Sequence, residues 1–221
     1  MEENNMKKGA IFDMDGLLTD TERWYAASWK ETAKAFGQEW VPDFDKFVAG
    51  TSGAGMLAVI GKHFPAVDAQ AFKEHCVQQA YRLGEENLRE MPGASDIVRF
   101  FRERGVKTAI ASSSPGDVIQ RYLRKLGLEE SFDAVVNGFE VAHGKPAPDI
   151  FLLAAERIGI PPEDCYVFED GVNGCLAGIA AGCATVMIPD LFQPTEELRQ
   201  KCAGIFESLT AAKEAVINGV L

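Results

Sequence analysis

The first apolar run of the chain, Lys8-Gly9-Ala10-Ile11-Phe12, has the length of a strand and stops in acids at Asp13-Met14-Asp15-Gly16. The pattern predicts a buried strand that delivers carboxylates to its C-terminal end. Because side chains alternate along a strand, Asp13 and Asp15 are expected on one side and Met14 on the other. The rhythm then turns helical from Asp20 to Gly37, near Asp43 to Ala49, from Gly53 to Phe64 and from Asp68 to Arg89, until Met91-Pro92-Gly93 resets the composition. No strand signal interrupts this stretch, so residues 19–90 are expected to form an inserted all-helical domain.

From Gly93 strand and helix alternate. Apolar strands are predicted at Val106 to Ala111, Phe132 to Val136, Tyr166 to Phe168, Cys183 to Ile188 and, briefly, Gly204 to Phe206, with helices between them. Such alternation implies right-handed βαβ units around a parallel sheet covered by helices on both faces. The expected fold class is therefore α/β: a Rossmann-like parallel-sheet core built from residues 1–18 and 91–221, with the helical domain inserted after its first strand.

In a parallel sheet every strand C-terminus faces the same rim, so Asp13, Ser112, Lys145 and Glu169-Asp170 are expected to converge although far apart in the chain. Paired carboxylates repel unless a cation or a shared proton relieves them, and a hard divalent ion such as Mg2+ suits such a set. Asp13 is then the candidate covalent nucleophile and Asp15 the candidate general acid and base. Ser112 and Ser113 offer hydroxyls and N–H groups to a phosphate, with Ser114 expected as helix N-cap, Pro115 as first helical residue and Asp117 closing a capping box. Lys145, held out of helix by Pro146, supplies a fixed ammonium. Each feature taken alone also fits a plainer role: a turn with exposed acids, a helix cap, a solvated lysine, or acids at a helix N-terminus.

Composition narrows the partners. With 221 residues and 47% hydrophobic content the chain can bury a substantial core, while a net charge of -11 argues against a nucleic-acid or anionic-membrane surface. The polar start Met1-Glu2-Glu3-Asn4-Asn5 lacks a signal-peptide pattern, and no run reaches membrane-span length, so a cytoplasmic protein is expected. Five cysteines without a Cys-x-x-Cys fit reduced thiols rather than a disulfide framework or zinc site.

Together, Asp13-Met14-Asp15-Gly16, Ser112 after an apolar strand, Lys145 before Pro146, and Glu169-Asp170 ending another strand resemble the four motifs of the haloacid dehalogenase superfamily. The helical insertion is similar to the mobile cap of the subgroup that holds β-phosphoglucomutase and many sugar-phosphate phosphatases. The resemblance implies a nucleophile at Asp13, an acid/base at Asp15, phosphate binding by Ser112 and Lys145, and magnesium held by Asp13, Asp170 and the backbone oxygen of Asp15, with Glu169 supporting the metal shell. Dehalogenating members lack an acid two residues after the nucleophile, so Asp15 turns the reading to phosphoryl transfer. Where the mutase carries a cap histidine this chain aligns Tyr25, and the mutase's basic cap loop aligns with Gly50-Thr51-Ser52-Gly53. The expected enzyme is thus a magnesium-dependent phosphatase, acting as a monomer on a small phosphorylated metabolite such as a sugar phosphate. Trp24, Tyr25, Thr51 and Ser52 are expected to select the substrate, against ordinary packing within the helical domain. The alternatives are a β-phosphoglucomutase-type phosphotransferase and a non-catalytic binding protein on the same fold.

Overall fold

The protein, as a computed structural model, is described over residues 6–48, 53–191 and 193–221. Its chain divides into two compact units, Met1–Asp20 with Arg89–Leu221, and Thr21–Leu88.

The first unit is built on a six-stranded sheet whose neighbouring strands are all parallel. Its strands are β1 (Gly9–Phe12), β2 (Lys107–Ser112), β3 (Ala134–Asn137), β4 (Cys165–Glu169), β5 (Ala184–Met187) and β6 (Gly204–Ile205), in the order β3-β2-β1-β4-β5-β6. The order reverses at β1, with β2 on one side and β4 on the other, and such a switch point opens a crevice beyond the strand C-termini. β1 is buried on both faces, which explains its unbroken apolar run.

Alternation along the strands sorts the core into two layers. Ile11, Ala109, Ala111 and Val167 pack with Ile150, Phe151, Ala154 and Ile158 of α7 (Asp149–Ile158) and Ala177 of α8 (Val172–Ala180). On the other face Phe12 stacks on Phe168 at 5.0 Å between ring centroids, and both meet Phe101 of α5 (Ala94–Glu103). Each large apolar side chain among them contributes about 2 kcal/mol through removal from water, so the two layers clamp the sheet and hold the ends of β1, β2 and β4 in register.

The chain leaves and re-enters this unit through paired segments. Thr19 bridges Glu90, the Asp20 N–H donates to the Arg89 carbonyl at 3.0 Å, and the Met91 N–H donates to that of Leu18 at 2.9 Å. The two crossings thereby satisfy each other's backbone groups.

The second unit contains α1 (Glu22–Ala35), α2 (Phe44–Val48), α3 (Gly53–His63) and α4 (Ala69–Asn87). It has its own core, in which Trp29, Phe44, Phe64 and Phe72 interlock by stacked and edge-on contacts 4.8–6.1 Å apart. Among the described residues no helix is long and apolar enough to cross a membrane. Cys76, Cys165, Cys175 and Cys183 are buried free thiols, and burial pushes Cys165 and Cys183 up to about 12, far from reactive thiolates.

Candidate active site

Lys145 is the hub of the site. Its Nζ donates to Asp13 Oδ1 at 2.6 Å, to Glu169 Oε1 at 2.6 Å and to the Ala111 carbonyl at 3.0 Å, which uses all three ammonium protons. The three acceptors lie within one residue of the C-terminal ends of β1, β4 and β2, so adjacent strands aim them at one point. The Lys145 side chain is only 9% exposed, with the Phe151 ring centroid 5.0 Å from its Nζ.

Asp13 follows β1 directly, and its N–H still bonds the Phe168 carbonyl at 3.1 Å, so the nucleophile candidate stands on rigid backbone. Asp13, Glu169 and Asp170 are all buried and offer oxygens within 4.8 Å of one another. Burial first, then the neighbouring carboxylates of Glu169 and Asp15, push the Asp13 carboxyl well above the usual range, against the opposing pull of Lys145. Burial also disfavours the ammonium, but Asp13 and Glu169 overcome it and hold Lys145 above the ordinary lysine value. The ammonium thus relieves the crowding only in part, and an all-oxygen set of this kind fits a hard divalent cation.

Asp15 sits past the strand end, and its side chain meets the serine loop after β2. Its Oδ2 accepts from the Ser114 hydroxyl at 2.7 Å and from the Ser112 hydroxyl at 3.2 Å, while the Ser112 oxygen accepts the Ser114 N–H at 3.0 Å. Ser114 does not cap the following helix as its sequence position suggests. That helix, α6 (Gly116–Leu126), has Pro115 at its N-cap with no side-chain bond, and Asp117 accepts from Arg121 at 2.8 Å instead of closing a capping box. The Ser114 hydroxyl is committed to Asp15, a long-range partner that outcompetes the local cap. Ser113 is exposed on the same loop.

Trp24 and Tyr25 both lie on α1. The Arg23 guanidinium sits 5.2 Å from the Trp24 ring centroid, and Tyr25 meets Tyr81 of α4 edge-on at 6.3 Å. Thr51 and Ser52 lie outside the described residues.

Gly174, in the first turns of α8, is a supporting residue that periodicity did not single out. A Cβ there would fall 1.8 Å from Glu169 Oε1, so the helix backbone passes directly over the carboxylate. Its other oxygen, Oε2, accepts the Gly171 N–H at 3.1 Å. Gly174→Ala is therefore expected to displace Glu169 from Lys145 and to cost about 2–3 kcal/mol in urea unfolding. Gly55→Ala, on α3 with nothing within 4 Å of the added methyl, serves as control and should gain up to about 1 kcal/mol. Equal behaviour of the two variants would refute the tight fit over Glu169.

Comparison with known proteins bears on this arrangement. A family profile described as haloacid dehalogenase-like hydrolase matches residues 7–182. The chain belongs to that family. A phosphorylated carbohydrates phosphatase of Thermotoga maritima is 34% identical over 176 residues, spanning 79% of this chain and 82% of the relative. A fructose-1-phosphate phosphatase of Escherichia coli is 33% identical over 181 residues, spanning 80% and 94%. Among solved structures, a β-phosphoglucomutase of Clostridium difficile superposes with a TM-score of 0.77 at 22% identity over 97% of each chain, a likeness of fold. Family and relatives together support a phosphatase of the haloacid dehalogenase-like hydrolases.

Proposed function

We propose that the enzyme is a magnesium-dependent phosphatase that hydrolyses a small phosphorylated metabolite, a sugar phosphate by the example of its relatives, through an aspartyl phosphate on Asp13. The observation that carries this reading is the buried convergence of Asp13, Glu169 and Asp170, the first two bonded to Lys145, at the ends of adjacent parallel strands. A group of acids so costly to bury is retained where charge must be matched to a cation and a phosphate.

In this reading Asp13, Asp170, the backbone oxygen of Asp15 and, in support, Glu169 hold Mg2+. When bound, the ion would draw negative charge from the phosphoryl oxygens and lower the Asp13 carboxyl toward its ionised, nucleophilic form. Asp13 Oδ1 or Oδ2 attacks phosphorus, and Lys145 keeps the carboxylate aligned and offsets charge on the transferring group. Asp15 gives a proton to the departing alcohol, then takes one from the water that cleaves the aspartyl phosphate. Ser112 and Ser113 hold phosphate oxygens at the end of β2. Substrate choice is assigned to the helical unit, through Trp24, Tyr25, Thr51 and Ser52.

Phosphate release from fructose 1-phosphate, β-glucose 1-phosphate and p-nitrophenyl phosphate tests the reading. Turnover is expected with Mg2+ and should fall at least about 100-fold in EDTA, returning when the ion is restored. Activity undiminished by the chelator would remove the metal from the account. Conversion of β-glucose 1-phosphate to its 6-phosphate isomer, in place of free phosphate, would make the enzyme a mutase.

A further inference from the structure

Ser112 is asked for two bonds with a single proton. Its hydroxyl now donates to Asp15 Oδ2 at 3.2 Å, yet as a phosphate ligand it would have to turn that proton toward the substrate. Asp15 would then lose one of the donors that orient its carboxyl. Ser114 is placed to prevent this: its hydroxyl makes the shorter bond to the same oxygen, 2.7 Å, and its N–H fixes the Ser112 oxygen at 3.0 Å. The Ser114 side chain lies in a residue only 4% exposed and forgoes the helix N-cap beside it, so the contact is not an incidental surface bond.

Resting on the phosphatase reading above, we infer that Ser114 is the positioning residue of the acid/base: it anchors Asp15 Oδ2 while Ser112 serves the phosphate, and so directs the transferable proton to Oδ1. A carboxyl oxygen pinned by a short hydroxyl donor, here Ser114 at 2.7 Å, behaves as the carbonyl oxygen of the acid, which leaves the other to carry the proton. In the first step that proton passes from Oδ1 to the leaving oxygen as the ester P–O bond breaks. In the second, the attacking water returns a proton to Oδ1 as the bond between phosphorus and Asp13 breaks, which closes the balance.

The role has a signature that loss of folding or of binding does not share. A misplaced acid hurts most when the leaving oxygen is strongly basic and least when it departs unaided. The test compares the Mg2+-loaded wild type with Ser114→Ala and Ser114→Thr on p-nitrophenyl phosphate and phenyl phosphate, with a thermal melt of each. Ser114→Ala is expected to lower kcat about 30-fold on phenyl phosphate and only about 3-fold on p-nitrophenyl phosphate, with KM within about 2-fold, and Ser114→Thr to recover most of the loss by keeping the hydroxyl. Equal losses on both esters, a loss confined to KM, or no loss at all would overturn the inference. A wild type that releases phosphate from neither ester would instead sink the phosphatase reading on which it rests.

Discussion

Asp13→Asn should release no measurable phosphate under conditions where the wild type turns over, a fall in kcat of at least about four orders of magnitude. The amide keeps the shape of the carboxylate but offers no nucleophilic lone pair of comparable reactivity, and it removes one member of the magnesium set. The same change relieves crowding. Burial and the carboxylates of Glu169 and Asp15 already work against an ionised Asp13, and Lys145 has a second carboxylate partner, Glu169 at 2.6 Å, that the substitution leaves in place. The variant is therefore expected to melt no lower than the wild type in EDTA. Catalytic death with intact stability identifies lost chemistry. Activity within about 10-fold of the wild type would exclude Asp13 as the nucleophile.

The second large effect is on stability. Lys145→Ala removes the ammonium that bonds Asp13 and Glu169 in a buried site and strands both carboxylates. Breaking one side of a buried ion pair typically costs about 3–5 kcal/mol, because the remaining charge is left without water or a partner. The cost has a definite sign with pH. A carboxyl whose folded pKa is raised binds its proton more tightly folded than unfolded, so its favourable contribution is complete below the unfolded value and is lost as pH rises through the raised one. Burial, then Glu169 and Asp15, already raise Asp13, and losing Lys145 raises it further. The penalty should therefore be small near pH 4 and large at pH 8, read as urea midpoints in EDTA. Mg2+ at pH 8 should recover part of it. A variant as stable as the wild type at pH 8 would show that the lysine is not what makes this acid cluster tolerable.

Much of this was legible in the chain itself, for a physical reason. Strands buried on both faces must be apolar throughout, so the acids that end β1 and β4 stand out against Ala10-Ile11-Phe12 and Tyr166-Val167-Phe168. The alternation of such runs with helices determines a parallel sheet, and a parallel sheet puts their ends on one rim. The helical insert was equally plain, because four amphipathic stretches follow one another without a strand between them.

Only the tertiary structure decided which atoms meet. Local sequence made Ser114 a helix cap, but a hydroxyl takes whichever acceptor the fold brings nearest, and here that is Asp15, 99 positions away. Spacing placed Asp13 and Asp15 on one side of a strand, yet β1 ends at Phe12, and the turn beyond it sends one carboxylate to Lys145 and the other to the serines. Gly174 looks like a weak helical residue until the Glu169 carboxylate is found beneath its backbone. Pattern reports which faces are buried, because burial depends on averages over many residues. Partner choice depends on single contacts between distant segments, which no local period records.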